Sequence, residues 1–317
     1  MATIAEAVEL LKSAWPVRDE IVLCMLSSPG IGKTYSVYKF RDWVRENTEY
    51  NDCKVVEMIA SQILPNEVSG ITMPVDSTHS MEVYDHARLS SLKDGDILFL
   101  DELLQGSPQV LSAFLTLIQE RRMMSGKKLP DIMIVAAANR LNSPSMIPES
   151  QRQRFMFVNI SFDWELWRDF IWEHYQVVPH ENISNIIEKS LRDNDTTYNT
   201  VTPRSVTKLF DWYTHIEPQY RTEWLKQVES MFGYGISKLI KLTFKKNDDY
   251  YRRTVLYVIE RILASHAESM MINNFNRLPN SSLMNAINEC KYRDEIIDAL
   301  KNIKADEYIK EGVSCID

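Results

Sequence analysis

The first half of the chain carries five short apolar runs: Ile21–Ser27 (IVLCMLS), Cys53–Ala60 (CKVVEMIA), Asp96–Leu100 (DILFL), Ile132–Ala138 (IMIVAAA) and Phe155–Ile160 (FMFVNI). Three of them are nearly continuous and lack the polar alternation of a half-exposed strand. That is the pattern of strands buried on both faces of a parallel sheet. Helical spacing separates most of the runs. Val37, Phe40 and Val44 share one face, as do Val110, Phe114, Leu117 and Ile118 in a segment opened by Ser107-Pro108, an N-cap followed by a first-position proline. Strand–helix alternation of this kind predicts an α/β domain of roughly 160 residues with a parallel sheet joined by crossovers.

Beyond about residue 163 the strand signal fades and apolar residues recur at helical spacing. The groups are Trp164, Trp167, Phe170 and Ile171; Ile183, Ile186 and Ile187; Val206, Leu209, Phe210 and Tyr213; then Val255, Val258, Ile259, Ile262 and Leu263. The aromatic residues Trp164, Trp167, Phe170, Trp172 and Tyr175 read as helical core rather than as a binding surface. Residues 272–282 (INNFNRLPNSS) are the most loop-like stretch of this half. The expected organisation is an αβα domain over 1–162, a helical domain over 163–245 and a helical extension over 246–317.

Composition narrows the class. The 317 residues are 44% hydrophobic and 25% charged, which is the globular norm and excludes collagen-like or largely disordered chains. No long apolar window suggests a transmembrane helix, and the N-terminus lacks a basic segment followed by an apolar one, as a secretory signal would have. Cys24, Cys53, Cys290 and Cys315 are scattered, with no CxxC pair and no zinc spacing, so reduced thiols in a cytoplasm are expected. The formal charge of −8 argues against non-specific nucleic-acid binding, which depends on lysine and arginine neutralising phosphates, though a local basic patch is compatible with it.

Ser27-Ser28-Pro29-Gly30-Ile31-Gly32-Lys33-Thr34 follows the first apolar run and opens a helix. This is the layout of a phosphate-binding P-loop, GxxxxGK[ST], with serine at the first glycine position. The glycines let the backbone curl its N–H groups into an anion nest, and the helix N-terminus adds its positive dipole end. Ser28, Pro29, Gly30, Ile31, Gly32, Lys33, Thr34 and Tyr35 are the candidate nucleotide-binding residues. Lys33 would reach the outer phosphates, and Thr34 would hold Mg2+. A lysine in a first helical turn opposes the dipole, and a bound polyphosphate explains it where a surface turn does not.

The run Asp96-Ile-Leu-Phe-Leu-Asp101-Glu102 ends in two acids at the strand's C-terminal edge, where ligands sit in open parallel sheets. Adjacent strand-end residues point to opposite sides, so Asp101 suits the metal and Glu102 a water, as general base. Asn139 ends the fourth run and is read either as a holder of the attacking water or γ-phosphate, or as a turn residue. Arg152 and Arg154 lie in Pro148-Glu-Ser-Gln-Arg-Gln-Arg-Phe155 and are candidates, Arg154 first, for an arginine reaching a neighbouring subunit's site. Arg204, in Thr202-Pro203-Arg204, falls in a first helical turn, where either a polyphosphate or a nearby carboxylate would offset its charge.

Taken in order, these motifs resemble the AAA+ ATPases and, within them, the MoxR-like clade. Lys33 and Thr34 match Walker A, Asp101 and Glu102 Walker B, Asn139 sensor 1 and Arg204 sensor 2. Arg154 matches the trans-acting arginine of a pattern similar to PEAQxDRF, with Gln153 in place of the usual acid. Leu64–Pro74 looks like the clade's insertion near its second helix, and Met123–Pro130 like a shortened hairpin before sensor 1. The resemblance covers about residues 20–215. It implies a five-stranded P-loop domain with a helical lid, ATP and Mg2+ as cofactors, and a homo-oligomeric, usually hexameric, ring. It also implies a chaperone-like role on a protein target and a von Willebrand factor A-type partner. The rival readings are a nucleotide-gated scaffold with little turnover and a nucleic-acid remodeller such as a helicase loader.

Overall fold

The computed structural model describes residues 1–75, 80–139, 147, 149–192, 201–246 and 248–303. Pro148 and Cys315, named above, lie outside them. The chain divides into two compact units, the first formed by residues 1–166 with 202–204, the second by 167–201 with 205–317.

The first unit is built on five strands: β1 (Val22–Ser27), β2 (Val55–Ile59), β5 (Ile97–Asp101), β6 (Met133–Asn139) and β7 (Phe155–Asn159). They pair in parallel in the order β2-β5-β6-β1-β7. All five coincide with the apolar runs of the sequence, and the burial explains why three of those runs are continuous. Alternate residues of each central strand enter opposite hydrophobic clusters. Cys24, Leu98, Leu100, Ile134 and Ala136 face one way, with Phe114 and Leu117 of helix α5 (Pro108–Glu120). Leu23, Met25, Ile97, Phe99 and Val135 face the other, with Leu11 of α1 (Ile4–Ala14) and Val37 and Phe40 of α2 (Lys33–Asn47). Neither face of these strands meets water, so neither needs polar residues.

Local chemistry fixes the helix ends. Thr3 caps α1 in a reciprocal capping box with Glu6, and Ser107 caps α5 by accepting from the Val110 N–H at 3.3 Å, with Pro108 in the first turn. Between β2 and β5 lie α3 (Pro65–Ser69), α4 (Ala87–Ser90) and an antiparallel hairpin of β3 (Ile71–Val75) and β4 (Ser80–Tyr84). The sequence reading saw an insertion at 64–74 but not this hairpin. Its strands are short, mostly exposed and interrupted by Pro74, so they lack the continuous apolar run that marks a buried strand. After α5, only a single antiparallel bridge, Arg122 with Lys128, forms in the segment read as a shortened hairpin. A short helix α6 (Glu149–Arg152) precedes β7, and α7 (Trp164–Tyr175) runs across the sequence boundary of the two units.

The second unit is helical: α8 (Asn182–Arg192), α9 (Pro203–His215, opened by residues of the first unit), α10 (Arg221–Phe232), α11 (Tyr234–Phe244), α12 (Asp248–Ser265), α13 (Ser269–Arg277), α14 (Asn280–Glu289) and α15 (Arg293–Asn302). Its aromatic residues are core, as Trp167 packs on Phe210, Trp172 on Tyr257 and Tyr175 on Phe210. The loop expected at 272–282 is instead the end of α13 and the start of α14, interrupted only at Leu278 and Pro279. Phe275, Leu283 and Ile287 are buried with Val255, Ile259 and Leu263 of α12, and that packing overrides the weak helix propensity of the asparagine- and serine-rich sequence. No helix among the described residues is long and apolar enough to cross a membrane.

Phe114 has no exposed surface and sits in the cluster that fastens α5 to the sheet. Phe114→Ala is expected to destabilise the first unit by about 3–5 kcal/mol, whereas Thr116→Ala on the exposed side of the same helix stays within about 0.5 kcal/mol. Urea midpoints of the two variants check this.

Candidate functional site

The strand register sets the site. Ser27 of β1 is level with Asn139 of β6, and Ile59 of β2 is level with Asp101 of β5, so their C-terminal ends lie along one edge of the sheet. After β1 the chain leaves for β2 at the far side of the sheet, which opens a crevice beside β1. The loop crossing that crevice needs glycine at two positions, Gly30 at φ +76° and Gly32 at φ +120°. A Cβ on Gly30 would also come within 2.9 Å of the Arg204 Cβ and 3.0 Å of the Thr202 hydroxyl oxygen.

One cleft gathers Pro29, Gly30, Ile31, Gly32, Lys33 and Thr34 from the loop and the start of α2, Asp101, Glu102 and Gln105 from beyond β5, Ala138 and Asn139 from β6, and Arg204. Residues spread over most of the first unit's sequence therefore meet at the sheet edge. Lys33 opens α2, whose first turn holds no acidic residue. Its ammonium donates to the Ser27 hydroxyl at 2.9 Å and, more distantly, to the carbonyls of Ser27 and Ser28, both at 3.4 Å. Burial pushes its pKa below the usual lysine value, the Asp101 charge pulls it back, and Arg204 opposes it further. Asp101 is shifted upward, chiefly by burial, against the Glu102 N–H and the charge of Lys33. The Glu102 N–H donates to the Asp101 carboxylate at 2.8 Å.

Glu102 adopts a left-handed backbone, φ 53° and ψ 33°, where non-glycine residues are uncommon. Its side chain accepts a hydrogen bond from the Ser61 hydroxyl. Ser61 and Gln105 were not found from the sequence. Ser61 reaches Glu102 only because β2 pairs with β5, and no local pattern marks it. Arg204 stands in the first turn of α9, and no carboxylate of the described residues lies within ion-pair distance of it. Asp101 lines the same cleft and feels the Arg204 charge, so a carboxylate offsets that arginine from beyond ion-pair distance.

Four of the sequence candidates do not line this cleft. Ser28 contributes its carbonyl to Lys33 and Ser27 rather than to the cleft wall. Tyr35 packs partly buried against the cluster of α1 and α2. Arg152 is tied locally, its Nε donating to the Ile147 carbonyl at 3.1 Å. Arg154 is exposed, with one long contact, 3.4 Å, from its guanidinium to the Gln119 carbonyl.

Hard oxygen donors suit Mg2+, which needs only one or two protein oxygens beside phosphate and water. The Asp101 carboxylate and the Thr34 hydroxyl belong to residues lining the same cleft, so the donor set fits that ion. Among the described residues no cluster of three histidine, cysteine or acidic side chains forms a site for a transition metal. A larger, mostly apolar cavity of about 500 Å3 lies between α3 and α5, but among the described residues Arg122 is its one charged lining residue and no catalytic constellation lines it.

Residues 22–155 match the family described as AAA domain (dynein-related subfamily). In structure the chain is similar to RuvB of Thermotoga maritima, at 16% identity over 82% of this chain and 77% of that one with a TM-score of 0.45. It is also similar to NtrX from Brucella abortus, at 14% identity over 80% of this chain and 68% of that one with a TM-score of 0.39. The family match falls on the segment that carries the P-loop and both strand-end acids, which is the part of the chain similar to that AAA domain.

Proposed function

We propose that the protein is an oligomeric, Mg2+-dependent ATPase of the MoxR-like kind, in which hydrolysis drives remodelling or activation of a protein target. The observation that carries this reading is the convergence of two cations, two carboxylates and an amide around a loop built for anions, at the edge where parallel sheets bind ligands.

The loop N–H groups and the start of α2 bind the phosphates, and Lys33 and Arg204 neutralise them. Two cations sharing a cleft repel each other, so a polyanion relieves that repulsion. Bound Mg2+ supplies charge neutralisation on the transferring phosphoryl group. Asp101 and Thr34 hold the ion's site, Glu102 takes the proton from the attacking water, and Asn139 orients that water. The Ser61 hydroxyl bonds only Oε2 of Glu102, which leaves Oε1 for that proton.

The arginine expected to complete catalysis is missing from the chain's own cleft. Arg154 is exposed, in keeping with donation to a neighbouring subunit, whereas the side chain of Arg152 is bonded to its own segment. This favours Arg154 as the trans-acting residue and a closed ring, hexameric as the resemblance to the MoxR-like clade implies, as the active form. A von Willebrand factor A-type protein is the proposed partner, by analogy with that clade.

Lys33→Ala is expected to abolish ATP and ADP binding in calorimetry, while Glu102→Gln retains binding and loses turnover. Arg154→Ala should bind ATP normally and lose about 10³–10⁵ in rate. Mixing Arg154→Ala with Glu102→Gln subunits should restore part of the activity, because some interfaces then combine an intact cleft with an intact arginine. Absence of restoration in demonstrably mixed assemblies would count against a shared site.

A further inference from the structure

Position 27 is where the sequence departs from the P-loop pattern, with serine in place of the first glycine. The backbone does not call for glycine there. Ser27 ends β1 in register with Asn139 and is not among the residues of positive φ. Its side chain has no exposed surface, so its hydroxyl must find partners inside the protein. It finds two. The hydroxyl donates to the Ser28 carbonyl at 2.9 Å and accepts from the Lys33 ammonium at 2.9 Å.

The three contacts of Lys33 are unequal. The hydroxyl contact has ordinary hydrogen-bond length, whereas the two carbonyl contacts, both at 3.4 Å, are at the outer limit. An ammonium has three protons. One is therefore held firmly by Ser27 and the other two loosely, so an incoming phosphate oxygen displaces only the weak pair. With glycine at 27, the loose carbonyl contacts alone would restrain the long lysine side chain, and binding would have to order it.

We infer that Ser27 is a positioning residue for nucleotide binding: its hydroxyl, oriented by the Ser28 carbonyl, anchors one proton of the Lys33 ammonium and aims the other two at the phosphates. The inference rests on the nucleotide-binding reading of the cleft. It is opposed to the alternative in which the hydroxyl sequesters the lysine from phosphate, and the two predict opposite signs.

Titration calorimetry of the full chain with Mg-ADP and Mg-ATP, on wild type, Ser27→Gly, Ser27→Ala and Ser27→Thr, separates them. Ser27→Gly carries the residue of the P-loop pattern itself, which guards against a folding defect. Glycine and alanine are expected to weaken both nucleotides by about tenfold or more, the effect of losing a hydrogen bond to a charged group. In turnover, KM should rise more than kcat falls, as for an interaction made before the chemical step. Threonine, which restores the hydroxyl, should regain most of the affinity. Equal or tighter binding by Ser27→Gly and Ser27→Ala overturns the inference, as does a folded Ser27→Thr that binds no better than Ser27→Ala. If wild type binds neither nucleotide, the functional reading falls along with it; if wild type binds and position 27 makes no difference, the inference alone falls.

Discussion

Holding a lysine ammonium inside the edge of a sheet is the constraint around which the first unit is arranged. Removing such a charge from water is unfavourable unless close acceptors and an opposite charge compensate. Lys33 has the Ser27 hydroxyl in contact and the Asp101 carboxylate near enough to offset part of the effect of burial. Arg204 works against that balance, since it adds a second positive charge that lowers the lysine pKa further while Asp101 feels both cations. Two cations and two carboxylates share the cleft where the loop offers its N–H groups, and those N–H groups are what a polyphosphate would meet.

The sheet makes the arrangement possible. Because β1, β5 and β6 are parallel, their C-terminal ends stop along one edge, and residues some 70 to 170 positions apart in sequence are brought together there. Because alternate residues of each strand feed separate hydrophobic clusters, the strands are clamped from both sides and the edge is rigid. One site of backbone strain lies just beyond that edge. Glu102 takes a left-handed backbone just past β5, and the hydrogen bonds to Asp101 and from Ser61 hold it there.

The same layout separates what one chain supplies from what it lacks. The cleft has its phosphate loop, its acids and its amide, but Arg154 projects from the segment before β7 and lies outside it. The proposed reading gives that exposed arginine to a neighbouring subunit's site. The hairpin of β3 and β4 belongs to the same picture of outward-facing parts, with Ile71, Met73 and Tyr84 exposed on one of its faces.

How much was legible in advance follows from the range over which each feature is encoded. The three central strands announced themselves because burial on both faces requires unbroken apolar runs, and the loop at 27–34 did so because positive φ requires glycine at fixed offsets. The acids at 101 and 102 and the amide at 139 were found because each ends such a run. Local pattern could not reveal that Ser61 meets Glu102 across the β2–β5 pairing, nor that a serine in the glycine position would be turned toward Lys33. It also missed the exposed hairpin, whose strands are short and never buried, and it took the asparagine- and serine-rich stretch around Pro279 for a loop. In sum, the order of residues determined which segments are buried and which turns can bind anions. Strand order, register and the packing of distant helices decided which side chains share a cleft, because those depend on contacts between residues that no sequence window contains together.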